Sequence, residues 1–174
     1  MFPVKENLTS RQINFTKWLK NSCEYIVLHH TATWFNTVNW NIRTLLGETW
    51  RQVSAHFLVD TNGDVYKLGE PTQVLWHAWE SSWDWKKDMN RYSIWIEIIG
   101  PLPNIWFTQE QRFIVKRLVE HLMKVFNIPK NRVIRHKDIA PGRKTDVADA
   151  LWADRYMSFD EYRNKLVPRE LTSL

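Results

Sequence analysis

The sequence predicts an α/β fold, a single domain in which a central mixed β-sheet is flanked by helices. The run YIVL at residues 25–28 is short, apolar and β-rich, as expected of a buried strand. Residues 55–68 contain two strand-like runs around the pair Asn62–Gly63, which favours a hairpin. A long helical pattern covers residues 108–127. Strands, a hairpin and helices in this order favour a mixed sheet over a purely parallel one.

In the first half of the chain, short helices and strands alternate. Helical spacing of three apolar residues predicts a short first helix, with one face made of Phe15, Trp18 and Leu19. The strand at residues 25–28 ends directly at His29. Thr37 is a typical N-cap and opens a short helix that reaches Leu46. Asn62–Gly63 is expected to supply the positive φ angles of a tight hairpin turn.

Two strands in the second half of the chain carry polar side chains of interest. Residues 93–98 (SIWIEI) alternate three isoleucines with other residues. A strand there places Glu97 on the face opposite the isoleucines, together with Trp95. Residues 132–136 form a further short strand that delivers His136 at its end.

Two helices in the second half carry capping signals. Thr108 and Gln111 form a capping box for the long helix. Its predicted apolar stripe consists of Phe113, Val115, Leu118, Leu122 and Val125. Ser158 opens the last helix, and Glu161 completes a second capping box.

Length and composition suit one globular domain. The chain has 174 residues, 44% of them hydrophobic, and contains neither a flexible linker nor an internal repeat. We expect residues 1–24 to be an extension packed on a domain at residues 25–174, and the protein to be a monomer. The single cysteine, Cys23, excludes an internal disulfide and is expected to be a small buried hydrophobe.

Targeting signals are missing from the sequence. It has no apolar run long enough to cross a membrane, so no stable membrane insertion is expected. It begins without the apolar segment of a signal peptide. We therefore expect synthesis in the cytoplasm.

The charge and the tryptophan content of the sequence limit which classes of binding partner are expected. The net charge of +5 favours anionic partners, namely nucleic acid, anionic lipid or bacterial envelope polymers. The basic residues are scattered and no nucleic-acid motif is present, so nucleic acid is not an expected partner. Eleven tryptophans are unusual for this length, and one loop carries Trp76, Trp79, Trp83 and Trp85. These four either pack in the core or line a groove, where aromatic faces stack on sugar rings.

Three candidate metal ligands stand at strand ends or in the loops that follow: His29, His136 and Asp146. A catalytic zinc site uses three protein ligands and leaves a fourth position for water. Each signal is weak alone, because a single histidine after a strand is more often structural. The residues by themselves leave both interpretations open.

Five blocks of the sequence resemble the type 2 N-acetylmuramoyl-L-alanine amidases. That family includes cytosolic anhydromuropeptide amidases, small phage lysozyme amidases and peptidoglycan recognition proteins. The blocks follow the family's order along the chain and lie at residues 26–33, 54–63, 76–78, 90–97 and 135–146. The resemblance implies the amidase and recognition-protein fold. It also implies zinc-dependent hydrolysis of the amide between N-acetylmuramic acid and L-alanine, with peptidoglycan or muropeptides as substrate.

The resemblance also implies roles for five positions. His29, His136 and Asp146 align with the three zinc (Zn²⁺) ligands. Glu97 aligns with the general base that takes the proton from water, and Lys144 with the lysine that stabilises the oxyanion. This set is chemically complete for amide hydrolysis.

Three further residues are candidates for substrate binding: His77, Trp95 and Arg143. Trp95 stands where the family usually has glycine, and we expect it to form part of a wall that contacts the muropeptide. His77 either touches substrate or is structural, and Arg143 either contacts a stem-peptide carboxylate or is structural. Residues 147–148 replace a common Pro-Gly, so the loop of the third ligand is expected to be held differently.

The remaining histidines have structural interpretations. His30 follows a ligand on an extended chain and is expected to point away from the metal. His56 is expected to be packed or hydrogen-bonded in the core, and His121 to face solvent or to pack on the long helix.

Two alternatives stay open at the level of function. A non-catalytic peptidoglycan-binding module is the chief rival, and such modules typically resemble the amidases with a ligand missing. An amidase could be an endolysin, which acts on the cell wall after release, or a recycling enzyme, which acts on muropeptides in the cytoplasm. The positive charge and compact domain favour wall lysis slightly.

Overall fold

The computed structural model describes residues 2–31, 37–100, 107–147 and 158–169. Parts of two predicted features therefore lie outside the described residues: the end of the first family block, at residues 32–33, and Ala148 of the ligand loop. Within the described ranges, no helix has the length and apolar character needed to cross a bilayer.

In the described part of the chain, ten strands form one large sheet and two small ladders. Their bounds are β1 Glu6–Asn7, β2 Phe15–Lys20, β3 Tyr25–His30, β4 Phe57–Val59, β5 Val65–Lys67, β6 Gln73–Leu75, β7 Ser82–Trp83, β8 Lys86–Lys87, β9 Ser93–Ile98 and β10 Val133–Arg135. The large sheet has the order β1-β5-β4-β9-β3-β10. All neighbours in it are parallel except β4 and β5, which form the predicted hairpin. The prediction of a mixed central sheet in a single domain is confirmed.

The hairpin turn is wider than the sequence indicates. Val59 pairs with Val65, so five residues connect the strands. Only the glycine of the Asn-Gly pair has a positive φ, +82° at Gly63. The Asp60 carboxylate accepts hydrogen bonds from the backbone amides of Asn62 and Asp64, both at 2.9 Å, and this side-chain cap replaces the tighter two-residue turn.

The predicted first helix is wrong, because residues Phe15–Lys20 form β2. This strand pairs antiparallel with β6, with Phe15 opposite Leu75. Trp18, assigned to the buried face of the helix, is 91% exposed. The tertiary pairing with β6 overrides a helical spacing that rested on three residues.

Helices cover both faces of the large sheet. Their bounds are α1 Val38–Leu45, α2 Gln109–Phe126, α3 His136–Ile139 and α4 Phe159–Asn164. The predicted N-caps are confirmed: the Thr37 hydroxyl accepts from the Trp40 amide, and capping boxes begin α2 at Thr108 and α4 at Ser158.

The buried stripe of α2 is narrower than predicted. Val115, Leu118 and Leu122 are buried as expected, whereas Phe113 is 59% and Val125 56% exposed. At 100° per residue, Phe113 lies on the side of the helix away from the stripe. Val119 and Met123, which were not part of the predicted stripe, are buried on this side of the helix.

Alternation along β3 and β9 gives the sheet two different faces. The helix face packs against α2 and α4 and is formed on these strands by Ile26, Leu28, Ile94, Ile96 and Ile98. The site face packs against α1 and α3 and is formed by Tyr25, Val27 and Trp95. Glu97 follows Trp95 on the site face, which confirms its predicted place opposite the isoleucines.

The first two dozen residues contribute to the sheet and the core. β1 adds a parallel edge strand next to β5. Cys23 is 5% exposed and free, as expected of a small buried hydrophobe. Asn21 holds the following turn, since its side chain accepts from the Cys23 amide and donates to the Ser93 carbonyl.

Candidate active site and metal centre

The site begins where β3 and β9 end. These strands are parallel, and their register places His29 directly beside Glu97. Both side chains therefore emerge on the site face, with 3.6 Å between His29 Nε2 and Glu97 Oε1. Ligands in open α/β sheets bind at this carboxyl edge of parallel strands.

His136 and Asp146 join His29 from the neighbouring strand. β10 lies on the other side of β3 and ends at Arg135, so His136 starts α3 beside the edge. The loop after α3 returns Asp146, whose carbonyl accepts a hydrogen bond from the Lys137 amide at 2.6 Å. The three predicted ligands are thus brought together from two strand ends and one loop.

The donor atoms of the three residues converge. One donor atom from each of His29, His136 and Asp146 lies within 4.8 Å of the others. His136 Nδ1 is 3.3 Å from both His29 Nδ1 and Asp146 Oδ2, and the latter two atoms are in close contact. Among the described residues, this is the one group of three such side chains close enough to hold a metal ion.

The protonation states of the cluster suit a cation. Burial lowers the pKa of His29 to about 4, so its ring is neutral at pH 7. Burial opposes ionisation of Asp146, but hydrogen bonds from His136 and His29 outweigh it and hold the pKa of this carboxyl well below its usual range. Two imidazoles and a carboxylate are a donor set that zinc prefers, and with three protein ligands a fourth position stays open. The residues therefore fit a zinc ion.

A cavity of about 430 Å³ opens beside the cluster. It is lined by Glu97, Lys144, His77 and Arg143, all predicted site residues, as well as by His30. Its far wall consists of Trp40, Asn41, Thr44, Leu45, Arg51, Val53 and Ser54. Ser54 begins the second family block. The other six residues come from α1 and from the segment before β4, which carry no motif beyond the Thr37 cap, and they were not found in the sequence.

Glu97 is the buried acid of the cavity. Its pKa is raised well above the usual range, first by burial and then by the charge of Asp146, while Lys144 opposes the shift. A raised pKa makes the Glu97 carboxylate a stronger base towards a proton of water. Lys144 is half-buried and contributes a cation to the same cavity.

Trp95 lies beneath the site and not in its wall. It is 0% exposed, and it lines neither this cavity nor the neighbouring cavity that contains Trp76 and Trp79. The expectation that Trp95 contacts the muropeptide is therefore wrong. Its indole Nε1 donates to Ser93 Oγ at 2.8 Å. The ring stacks on His77 with centroids 3.6 Å apart and meets His136 edge-on at 5.0 Å. Trp95 therefore supports two rings of the site from below.

His77 and His56 continue this column of rings. His77 lines the cavity, and neither of its ring nitrogens has a hydrogen-bond partner within the described residues. Burial holds its pKa well below the usual range, so the ring is neutral. His56 accepts from the Trp95 amide at 2.9 Å, and its Nε2 contacts the Gln73 carbonyl at 3.1 Å. This places His56 in the core, as expected.

Three other side chains for which the sequence suggested a role are His30, His121 and Arg143. His30 is outside the ligand cluster, with its ring 6.4 Å from that of Phe107. His121 packs on Phe2 with centroids 5.8 Å apart. Arg143 is exposed at the cavity rim and donates to the Glu80 carbonyl.

A buried carboxylate beside two imidazoles and an aspartate, at the carboxyl edge of parallel strands, is typical of catalytic zinc sites. The fold and the site thus define an α/β protein with a candidate metal centre at the carboxyl edge of its sheet. Residues 19–149 match the sequence family described as N-acetylmuramoyl-L-alanine amidase. The chain belongs to that family.

Individual relatives show the same likeness. The chain is 33% identical over 108 residues to the 1,6-anhydro-N-acetylmuramyl-L-alanine amidase AmpD of Haemophilus influenzae, covering 62% of this chain and 58% of the relative. A crystal structure of a selenomethionine derivative of AmpD superposes with a TM-score of 0.75 at 20% identity, over 96% of each chain, and supports the fold. The amidase AmiD of Escherichia coli, in complex with anhydro-N-acetylmuramic acid-L-Ala-D-γ-Glu-L-Lys, gives a TM-score of 0.64 at 27% identity, over 77% of this chain and 56% of AmiD.

The chain spans about half the length of the curated relatives it matches. The family and the fold follow from these comparisons.

Proposed function

We propose that this protein is a zinc-dependent N-acetylmuramoyl-L-alanine amidase, which hydrolyses the amide between N-acetylmuramic acid and L-alanine. The observation that carries the proposal is the convergence of His29, His136 and Asp146 beside the buried Glu97. Family membership and the AmiD complex with an anhydromuropeptide support the substrate class. A non-catalytic binding module is disfavoured, since all three ligand positions are filled and converge.

The ligand set would hold zinc through His29, His136 and Asp146. When bound, zinc lowers the pKa of a water molecule towards neutrality and polarises a carbonyl group. His29 is neutral and Asp146 ionised before any metal binds, so neither side chain has to change its protonation state at pH 7.

Glu97 and Lys144 have different roles in the proposed reaction. Glu97 takes the proton of the attacking water and then delivers it to the departing nitrogen of L-alanine, as its raised pKa allows. Lys144 places a positive charge in the same cavity, where it offsets the negative charge that develops on the carbonyl oxygen. The amide bond breaks, and the products are a muramic acid sugar and a free stem peptide.

The experiment is release of free stem peptides from purified sacculi and from soluble anhydromuropeptides, followed by mass spectrometry. We expect release by the zinc-loaded protein and none after chelation. Glu97→Gln keeps the size of the side chain and removes the base, so kcat should fall by about 10³-fold. Zinc content of the variant, measured in parallel, separates loss of the base from loss of the metal.

Either of two results would contradict the proposal. Full activity of the Glu97→Gln variant would remove the assigned base. Binding of sacculi without release of stem peptide from either substrate would favour the recognition module. The relative rates on sacculi and on soluble muropeptides bear on the place of action, which we propose to be the cell wall on account of the positive charge.

A further inference from the structure

A second cavity of about 450 Å³ adjoins the first. The two cavities share Val53, His77, Arg143 and Lys144 as a common wall. The rest of the second cavity is lined by Gln52, Trp76, Ala78, Trp79, Glu80 and Asn90. A molecule held at the metal cluster can therefore extend into a space that carries two tryptophans.

The groove continues past Trp79. A third cavity of about 700 Å³ lies beyond it and shares Trp79, Glu80 and Arg143 with the second. Trp79 stands between the two and is 84% exposed. The second and third cavities therefore offer space that adjoins the cavity of the metal cluster.

The loop that carries Trp79 is held firmly in place. Asn90 Oδ1 accepts from the amides of His77 and Ala78, at 3.3 and 2.9 Å, and Asn90 Nδ2 donates to the Ala78 carbonyl at 2.9 Å. On the other side, the amide of Trp76 donates to Ser54 Oγ at 2.7 Å, and its indole Nε1 to Thr16 Oγ1 at 3.1 Å. A ligand that packs on these rings does not have to order the loop first.

The charged linings of the three cavities differ. The first cavity carries Arg51, Arg143 and Lys144 together with the acids Glu97 and Asp146, and the second carries Arg143 and Lys144 against Glu80. The third cavity is charge-balanced, with Glu80 and Asp88 against Lys87 and Arg143. Trp79 lies between the second and third cavities, where a flat indole face beside a balanced lining suits an uncharged sugar ring.

We propose that Trp79 and Trp76 form a saccharide subsite that takes the sugar ring next to the muramic acid. This inference rests on the proposed amidase function and narrows its substrate class. The protein prefers peptides attached to a glycan of two or more sugars over muropeptides with one sugar. Trp79 is then a specificity residue, remote from the reacting atoms.

The test compares two substrates with the same tripeptide stem: N-acetylmuramoyl-tripeptide and N-acetylglucosaminyl-N-acetylmuramoyl-tripeptide. We expect kcat/KM of the wild type to favour the disaccharide by about fivefold, the size of one aromatic stacking contact. Trp79→Ala should bring the ratio close to one. Trp85→Ala is the matched control, because Trp85 lies in the same loop region, is 100% exposed and lines none of the three cavities. Its ratio should equal that of the wild type.

A binding measurement keeps the test independent of catalysis. Chitotriose is titrated into the zinc-loaded wild type and both variants, followed by tryptophan fluorescence. We expect its dissociation constant to rise about fivefold in Trp79→Ala and to stay constant in Trp85→Ala. If neither substrate is hydrolysed, the proposed function fails and this titration alone decides the subsite.

Three outcomes would overturn the proposal. One is an unchanged substrate ratio in Trp79→Ala. Another is equal affinity for chitotriose in both variants. The third is a loss in Trp79→Ala that grows with the length of the stem peptide on a single-sugar substrate, which would assign the groove to the peptide.

Discussion

The two faces of the central sheet are built on the same strands but from different chemistry. On the helix face, the side chains that β3 and β9 bury against α2 and α4 are aliphatic. They are Ile26, Leu28, Ile94, Ile96 and Ile98. On the site face, the same strands bury Trp95 and Glu97 and carry His29 at the edge. The buried acid has a raised pKa and the buried histidines have lowered ones. One face therefore contributes stability, and the other holds polar groups whose pKa values burial shifts away from those in water.

The sharpest test of this division is Trp95, a large buried core side chain that contacts the rings of His77 and His136. Trp95→Gly should lower the free energy of unfolding by roughly 4 kcal/mol, because a fully buried ring is lost. It should also weaken zinc binding by about tenfold, because His136 loses its edge-on support. Urea denaturation of the metal-free protein and competition with a chromophoric chelator measure the two effects.

Trp95→Phe is the control for that experiment. It keeps an aromatic ring between His77 and His136, so most of the zinc affinity should return. Unchanged zinc affinity in Trp95→Gly would show that the ring serves packing alone.

For the helix face we expect a loss of stability without a loss of zinc affinity. Leu118→Ala removes a fully buried side chain of α2 and should lower the free energy of unfolding by about 3 kcal/mol. Zinc affinity should not change, since the sheet separates this residue from the ligands. Phe113→Ala on the same helix is the matched control, and its larger but 59% exposed side chain should cost less than about 1 kcal/mol. A tenfold loss of zinc affinity in Leu118→Ala would mean that the faces are coupled.

Stability should also depend on pH through His56. Burial lowers the pKa of His56 to about 4 in the folded state, against a usual 6.5. Between these values the unfolded chain binds the proton and the folded chain does not, so stability falls as pH decreases through this window. The free-energy difference between the wild type and His56→Gln should therefore be largest at pH 7. It should shrink by up to about 3 kcal/mol towards pH 4. A difference that stays constant over this range, in urea denaturation at each pH, would contradict the assignment.

Much of the site could be predicted because strand ends are readable in the sequence. The alternation in residues 93–98 assigned Glu97 to its face, and the short runs before His29 and His136 placed each of them at the end of a strand. That these ends meet at one edge of the sheet is shown by the parallel pairing of β3 with β9 and β10. Asp146 has no such local signal, since a carboxylate in a loop is ordinary. Its place became predictable only through the resemblance to the amidase family.

The errors have a common physical origin in contacts between distant parts of the chain. The spacing of residues 15–19 fits a helix, but pairing with β6 makes them a strand. Strand alternation put Trp95 on the same side as Glu97, but it could not show that His77 stacks on the ring and covers it. The far wall of the cavity, including Arg51, arises in the same way, from the packing of α1 beside the hairpin.

The parallel register of β3 and β9 has a consequence for motion. His29 and Glu97 stand side by side on adjacent rungs of one hydrogen-bonded ladder. Fluctuations that bend or shift a sheet carry neighbouring strands along together, whereas loops move separately and faster. We therefore expect the separation of these two strand positions to vary less than the distance from either of them to Asp146, which lies on a loop.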